Sequence, residues 1–434
     1  MREMKDSGIE WIGEIPEGWK ISRIKQLFSE VIDRCENGEN YTLLSVSEYY
    51  GVAPKSERIS DDDMLTHAET LDGYKICKEN DLVMNIMLAW KRALGVSEYT
   101  GIVSPAYCVY RGKQNMCAKY FHYLFRTDMY ANLFKQYSTG IIDSRLRLYP
   151  DKFLALKCQV PPIDMQHRIA DYLDRKCSQI DSIIARQQEV IEKLKAYKLS
   201  VITEAVTKGL NPDVPMKDSG VEWIGEIPEH WDFRKIKNCC LIVDCKNRTP
   251  DPDPDGEYIV VRTTCIRDGS FSYEGSYHTN AENFKEWTAK GQPQHGDIFF
   301  TREAPMGEAC LVPDADNLCM GQRVMFFRPL DGSDPRYILY SIYGPLAREY
   351  IDSQNKGSTV GHLKLGQVAS LPLFYCPPKE QSEIADYLDK RCGAIDKVVE
   401  KKAKIISKLT DYKKSLIYEV VTGKKEVLLC PTLT

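Results

Sequence analysis

The chain has 434 residues, of which 43% are hydrophobic and 28% charged, enough for two to four globular domains with real cores. No run of about 18 apolar residues occurs, and no apolar stretch follows the first basic residue. A membrane span and an export signal are therefore not expected, and a cytoplasmic address is. With 58 basic against 62 acidic residues, the net charge of −4 argues against non-specific coating of nucleic acid and leaves room for local basic clusters.

The first element is a motif, MKDSGIEWIGEIPEGW at residues 4–19. It returns as MKDSGVEWIGEIPEHW at 216–231, with fourteen of sixteen positions identical. Trp11, Trp19, Trp223 and Trp231 belong to this repeated frame, so they are expected to pack at the start of each following stretch rather than to stack on bases.

Residues 20–160 read as mixed, mainly β material. Short apolar runs at 41–46 and 81–87 alternate with Gly, Asp and Pro turn signals, and the best helix lies at 119–137. Base edges are read by Arg, Lys, Asn and Gln held on loops, and phosphates by basic, hydroxyl and backbone N–H groups. Candidates here are Asn85, Trp90, Lys91 and Arg92, then Ser104 and Tyr107, then Arg145 and Arg147.

Prolines 161 and 162 then open a long amphipathic helix. Ile180, Ile184, Gln187, Ile191, Leu194, Lys198, Val201 and Ala205 step by fours and threes, with Arg186, Gln188, Glu192, Lys193 and Lys195 opposite. Gly209 sits where a helix C-cap would fall.

Residues 232–375 form a second stretch that aligns poorly with the first. Apolar runs fall at 258–261 and 298–301, a helix at 335–354, and an exposed acidic, proline-rich loop at 251–256. Its candidate DNA-contacting residues are Lys246, Asn247, Arg248, Thr249, Arg262, Thr263, Thr264, Arg302, Gln322, Arg323, Lys356, His362 and Lys364. A second long helix follows Pro377 and Pro378. Residues 381–422 match 166–207 at 20 of 42 positions, including IADYLD in both copies, and Gly423 stands where Gly209 stood.

The expected fold is α+β. Two recognition domains, 1–160 and 211–376, alternate with helical segments 161–210 and 377–434 in a pseudo-two-fold internal repeat. The repeat supplies two such helices per chain, each with one apolar stripe, which favours their pairing within one chain as an antiparallel coiled coil. A helix of 42 residues spans about 63 Å, nearly two turns of duplex DNA. A coiled coil made with another chain is the competing arrangement.

Fifteen cysteines occur without any CxxC pair, and Cys239, Cys240 and Cys245 lack a second pair at zinc spacing, so no metal is expected and the thiols are read as small buried hydrophobes. There is no GxxxxGK[ST] loop, no HExxH pair and no Asp/Asn-Pro-Pro-Tyr/Phe tetrad. No catalytic site and no cofactor are expected.

The twice-used SGxEWIGEIPExW opening, the PPxxxQxxIADYLD helix starts and the two-domain repeat resemble the specificity subunits of Type I restriction-modification systems over essentially the whole chain. The stretches DLVMNIMLAWKRALGVSEYTGIVSPAY and GDIFFTREAPMGEACLVP look like two types of target-recognition domain, the first with glycine expected where this chain has Arg92. The resemblance implies a non-catalytic subunit that binds a two-part double-stranded DNA target, one half per domain, with the helices setting the gap. It further implies methyltransferase (modification) subunits docked on the helices and restriction (motor/nuclease) subunits that join to cut DNA. A related methylation-only or fused methylase-nuclease system stays open, as does a coiled-coil scaffold with no DNA role.

Overall fold

The computed structural model describes residues 3–57, 71–113, 115–330, 332–354 and 361–427. It is mixed α/β with two long helices, Ile163–Lys208 and Pro378–Val421. The chain divides into two compact units, Met1–Gln187 with Lys404–Thr434, and Gln188–Ala403. Each long helix gives one half to each unit.

In the first unit, the opening motif folds as a short antiparallel pair, Met4–Asp6 with Glu14–Pro16. The turn between them explains its composition. Asp6 accepts from the Gly8 amide, and Gly8 and Gly13 both lie at φ +69°, where a Cβ is disfavoured. Trp19 is buried edge-on against Tyr120, and Trp11 packs edge-on against Tyr130. Strand Lys20–Arg23 then pairs with Lys157–Val160, closing the root of the intervening domain immediately before the long helix.

That domain is built on a four-stranded antiparallel sheet in the order Phe28–Val31, Tyr107–Gly112, Leu82–Asn85, Leu94–Val96. A buried carboxylate, Asp81, holds the Arg111 guanidinium through two bonds of 2.9 and 2.7 Å at one end of the sheet. The helical stretch expected as one piece at 119–137 is two helices, Ala118–Phe125 and Asp128–Tyr137. Thr127 restarts the second by accepting from the Tyr130 amide, the ordinary role of an N-cap hydroxyl. Their apolar faces join Phe121, Phe125, Tyr130, Phe134 and Phe153 in one aromatic core.

His122 sits inside this domain, where Nδ1 accepts from the Val96 amide at 3.1 Å. Burial, with Arg126 and Lys119 nearby, pushes its pKa down to about 3. The folded state thus binds a proton less readily than the unfolded chain, so this contribution to stability is present above about pH 6.5 and is lost progressively as pH falls toward 3. Replacing His122 by asparagine should flatten the acid limb of a stability-versus-pH curve across that window. An unchanged slope would mean that the ring takes its proton freely.

The second unit repeats these devices with different residues. Met216–Asp218 pairs with Glu226–Pro228, and Asp232–Lys235 pairs with Pro372–Tyr375. Its sheet runs Cys240–Val243, Val324–Pro329, Ile298–Thr301, Ala309–Leu311, the same antiparallel succession as in the first unit. Asp297 holds Arg328 as Asp81 holds Arg111, at 2.9 and 2.7 Å. Strand Tyr258–Val261 lies between Tyr277–Thr279, antiparallel, and Leu318–Met320, parallel. The helix expected at 335–354 is likewise two, Pro335–Tyr343 and Pro345–Gln354, because Gly344 precedes a proline and is driven to an extended backbone. Trp231 is buried and donates to Glu380 at 3.1 Å. Trp223 departs from the packing expected of it and is 49% exposed, because the turn that carries it faces outward.

The long helices meet in both units through comparable groups. In the first, Lys413 pairs with Asp181 at 2.6 Å; in the second, Lys198 pairs with Asp396 at 2.7 Å. Gln166 bridges the Cys117 amide and the Pro161 carbonyl, and Gln381 bridges the Asp334 amide and the Cys376 carbonyl. Gly209 and Gly423 end the helices at φ +73° and +75°. The cysteines among the described residues are buried thiols with no disulfide among them, and no group of three or more metal-ligating side chains occurs among those residues. No helix among them is long and apolar enough to cross a membrane.

Candidate nucleic-acid interface

The sheet of each unit ends in loops on one side, and most of the candidate side chains lie there. In the second unit they form a continuous cluster. Gln322 donates to the Asn247 carbonyl at 3.0 Å, and the Cys245 thiol accepts from the Arg323 amide at 3.3 Å, tying segment 245–247 to the 321–323 turn. Arg302 is its hub. Its guanidinium reaches both Asp244 oxygens, the Leu363 carbonyl and the His362 ring, while its amide donates to the Arg323 carbonyl. At 12% side-chain exposure Arg302 organises the loops more than it faces outward.

Around that hub sit cations already neutralised by carboxylates. Glu303 takes Arg323 at 3.0 Å and lies 3.3 Å from the His362 ring. Glu286 takes both Lys246 and Arg248, and both cations lie over the Trp287 ring at 4.9 and 4.7 Å. Those hydrogen bonds from Lys246 and Arg248 hold the exposed Glu286 carboxyl below its usual range. Two cations on one carboxylate leave a surplus positive charge on an exposed rim, and a phosphate can displace such a carboxylate partner with charge-assisted bonds of its own.

Arg262 and Thr264 are exposed, Thr263 is half-buried, and the Arg262 guanidinium reaches the Gly275 carbonyl at 3.4 Å. They adjoin the cluster because the Gly321 amide donates to the Val261 carbonyl. Thr249 is exposed on the 245–249 loop. Lys364 is exposed at the N-cap of helix Leu365–Ala369. Lys356 lies outside the described residues.

In the first unit the loops converge in the same manner. Asn85 faces Tyr107 across the sheet, and the Leu148 amide donates to the Ile86 carbonyl. Arg147 forms an isolated bridge with Thr139, which brings 139–147 alongside. Trp90 carries Lys135 at 4.8 Å and Lys91 at 5.2 Å over its ring, and Lys135 also pairs with Asp143 at 2.9 Å. Arg145 is exposed and Ser104 half-buried beside them. Asn85 is 4% exposed, and its side-chain oxygen accepts from the Met87 amide, which commits that oxygen to shaping the turn.

Arg92 stands at φ 68°, ψ 18°, a left-handed conformation that glycine takes without strain, so a chain with glycine here would keep the same loop. Its guanidinium is held by Asp128 at 2.6 Å.

Sequence reading missed Asp244, Glu286, Trp287 and Glu303 in the second unit and Asp128, Lys135 and Asp143 in the first. Each becomes relevant only through a partner tens of residues away, apart from Lys135 and Asp143, and spacing gives no sign of it. Trp287 near two cations has an aromatic-plus-basic composition, but its loop partner lies some forty residues back.

Residues 228–410 match the family described as the Type I restriction modification DNA specificity domain. Among curated relatives, a putative type I restriction enzyme MjaX specificity subunit of Methanocaldococcus jannaschii is 23% identical, covering 96% of both chains. The type I restriction enzyme EcoKI specificity subunit of Escherichia coli is 22% identical over 95% of this chain and 90% of that one. A chain from a solved structure of complex assembly in a type I R-M system superposes with TM-score 0.66 at 14% identity, covering 95% of this chain and 99% of that one. At that identity the likeness speaks for the fold alone.

Proposed function

We propose, from its likeness to Type I restriction-modification specificity subunits over most of its length, that the chain is a member of that family, reads a bipartite double-stranded DNA target and directs partner subunits to it. The domain of the first unit reads one half-site and that of the second reads the other, with no catalytic chemistry contributed by this chain. Modification subunits supply methylation, restriction subunits supply cleavage, and the assembly works in the cytoplasm.

The observation that carries this reading is that each unit has its own cluster of two cations over one aromatic ring beside the loops at one end of its sheet, drawn partly from loops and partly from helices such as Asp128–Tyr137 and Ala281–Trp287. Lys246 and Arg248 lie over Trp287 in one, and Lys91 and Lys135 over Trp90 in the other. Divergent side chains on a shared frame are what two readers of different sequences need. Phosphate contacts from the paired cations would position the duplex, and the loops between them would read base edges.

The long helices serve in this proposal as an antiparallel coiled-coil spacer within one pseudo-two-fold repeat. The ion pairs support it. Asp181 and Asp396 are matched positions of the repeat, as are Lys198 and Lys413, and each pair takes its aspartate from one copy and its lysine from the other. An antiparallel pair related by a two-fold axis makes that exchange.

Exchanging residues 20–160 for the corresponding domain of another such subunit should change one half-site and leave the other unaltered. Sequencing of modified sites in cells carrying the hybrid measures this. Simultaneous change of both halves would exclude independent reading.

A further inference from the structure

Each unit uses one half-buried polar side chain at the same place, the end of the first helix after the sheet, for the same purpose. In the first unit that side chain is Arg126, the C-cap of helix Ala118–Phe125. Its guanidinium donates to five main-chain carbonyls. Two lie at the start of the last sheet strand, Arg92 at 2.8 Å and Leu94 at 2.7 Å. The other three, Ser47, Glu48 and Tyr49 at 3.0 to 3.3 Å, form the turn of hairpin Leu44–Ser47/Gly51–Pro54.

In the second unit the side chain is Tyr343, the last residue of helix Pro335–Tyr343. Its hydroxyl accepts from the Gly269 amide at 2.8 Å and the Ala309 amide at 3.1 Å, and lies 2.9 and 3.0 Å from the Glu308 carboxylate and the Ala309 carbonyl, to which its proton can be donated. Gly269 is in the turn of hairpin Ile266–Arg267/Ser270–Phe271, and Ala309 begins the last sheet strand. A guanidinium and a phenol, with no chemistry in common, thus join a hairpin turn to the strand that leaves the recognition loop.

We infer that Arg126 and Tyr343 are positioning residues for target reading, each fixing a hairpin turn beside the recognition loop of its own domain. The turns they fix present side chains outward, with Tyr49 84% exposed and Arg267 and Asp268 exposed. Arg92 and Ala304, held left-handed at φ 68° and 53°, lie in the two loops being braced. Neither Arg126 nor Tyr343 need touch DNA, because both are turned toward main chain. Their burial fits this. Desolvation pushes the Arg126 guanidinium down to about 10 and the Tyr343 phenol up to about 12.

The inference rests on the proposed reading of two half-sites, so its test keeps the two apart. The full chain, assembled with its modification subunits, is compared as wild type, Arg126→Lys and Tyr343→Phe on substrates carrying single-base changes in either half-site. Tyr343→Phe removes one hydroxyl and keeps the ring. Loss of its bonds should lower discrimination in the second half-site about tenfold, the scale of a buried hydrogen-bonded group left unsatisfied, with the first half-site unaffected. Arg126→Lys should do the converse.

A purely structural role would move melting temperature and total methylation without moving base preference, and that result overturns the inference. So does equal loss in both halves. If Arg126→Lys fails to fold, Tyr343→Phe decides alone. A wild-type complex with no bipartite preference would instead sink the parent reading of function.

Discussion

Replacing Asp297 by alanine should destabilise the second unit by about 3 kcal/mol, the lower end of what breaking a buried ion pair costs. Asp297 has a side chain only 3% exposed, accepts two bonds from Arg328 and a third from the Gln294 amide. Removing the carboxylate leaves the guanidinium beside the sheet with the Gln292 carbonyl and the face of the Phe326 ring, neither of which carries a neutralising charge, and leaves the Gln294 amide without its side-chain acceptor. Arg328 is itself 31% exposed, so water relieves part of the cost and the top of the range is not reached. Removing both partners together, Asp297→Ala with Arg328→Met, should cost less than the single change, because no uncompensated charge remains. Urea denaturation of the three proteins tests this. A single-variant loss below about 1 kcal/mol would mean that the pair behaves as an ordinary surface ion pair. Asp81 and Arg111 should respond alike in the first unit, where Asp81 is equally enclosed.

Inserting one heptad into each long helix should lengthen the gap between half-sites by about three base pairs and leave both half-site sequences unchanged. Seven residues add about 10 Å at 1.5 Å per residue, and base pairs rise about 3.4 Å. A heptad preserves the apolar stripe on its face, so Ile184, Ile191 and Val201 keep their orientation. Insertion into one helix only would offset Lys198 from Asp396 or Lys413 from Asp181 and should impair assembly instead. Mapping modified sites in cells carrying the double insertion reads the gap directly. An unchanged gap would remove the helices as the ruler.

The frame of this protein was legible in its sequence because it is written twice. The paired EWIGEIP motifs, the helix starts after Pro162 and Pro377, and the terminal Gly209 and Gly423 all follow from local rules of turns, caps and periodicity. What the two intervening domains share was not legible, since only a few positions such as Asp81 with Asp297 and Arg111 with Arg328 survive as signals. Arg126 and Tyr343 serve one purpose with unlike side chains, so alignment by chemistry cannot match them.

The interface was partly legible. Arg and Lys runs pointed to loops that the structure gathers at one end of each sheet, and the glycine expected at Arg92 from the resemblance pointed to a backbone that this chain adopts with a non-glycine residue. Which cation faces outward was not legible, because it depends on distant carboxylates. Arg302 is drawn inward by Asp244, and Arg248, sharing Glu286 with Lys246, stays 67% exposed. The single helices expected at 119–137 and 335–354 broke where capping chemistry at Thr127 and Gly344 outweighed a continuous apolar stripe.

The most direct test of the central claim is a genome-wide map of methylated bases in cells that carry this chain with its modification subunits, set against cells lacking only this chain. A split motif, two short specific halves around a fixed gap, present only when the chain is present, is the predicted result. No methylation even when the chain is present, or the same methylation with and without it, from a complex shown to be folded and assembled, would contradict a role in reading DNA.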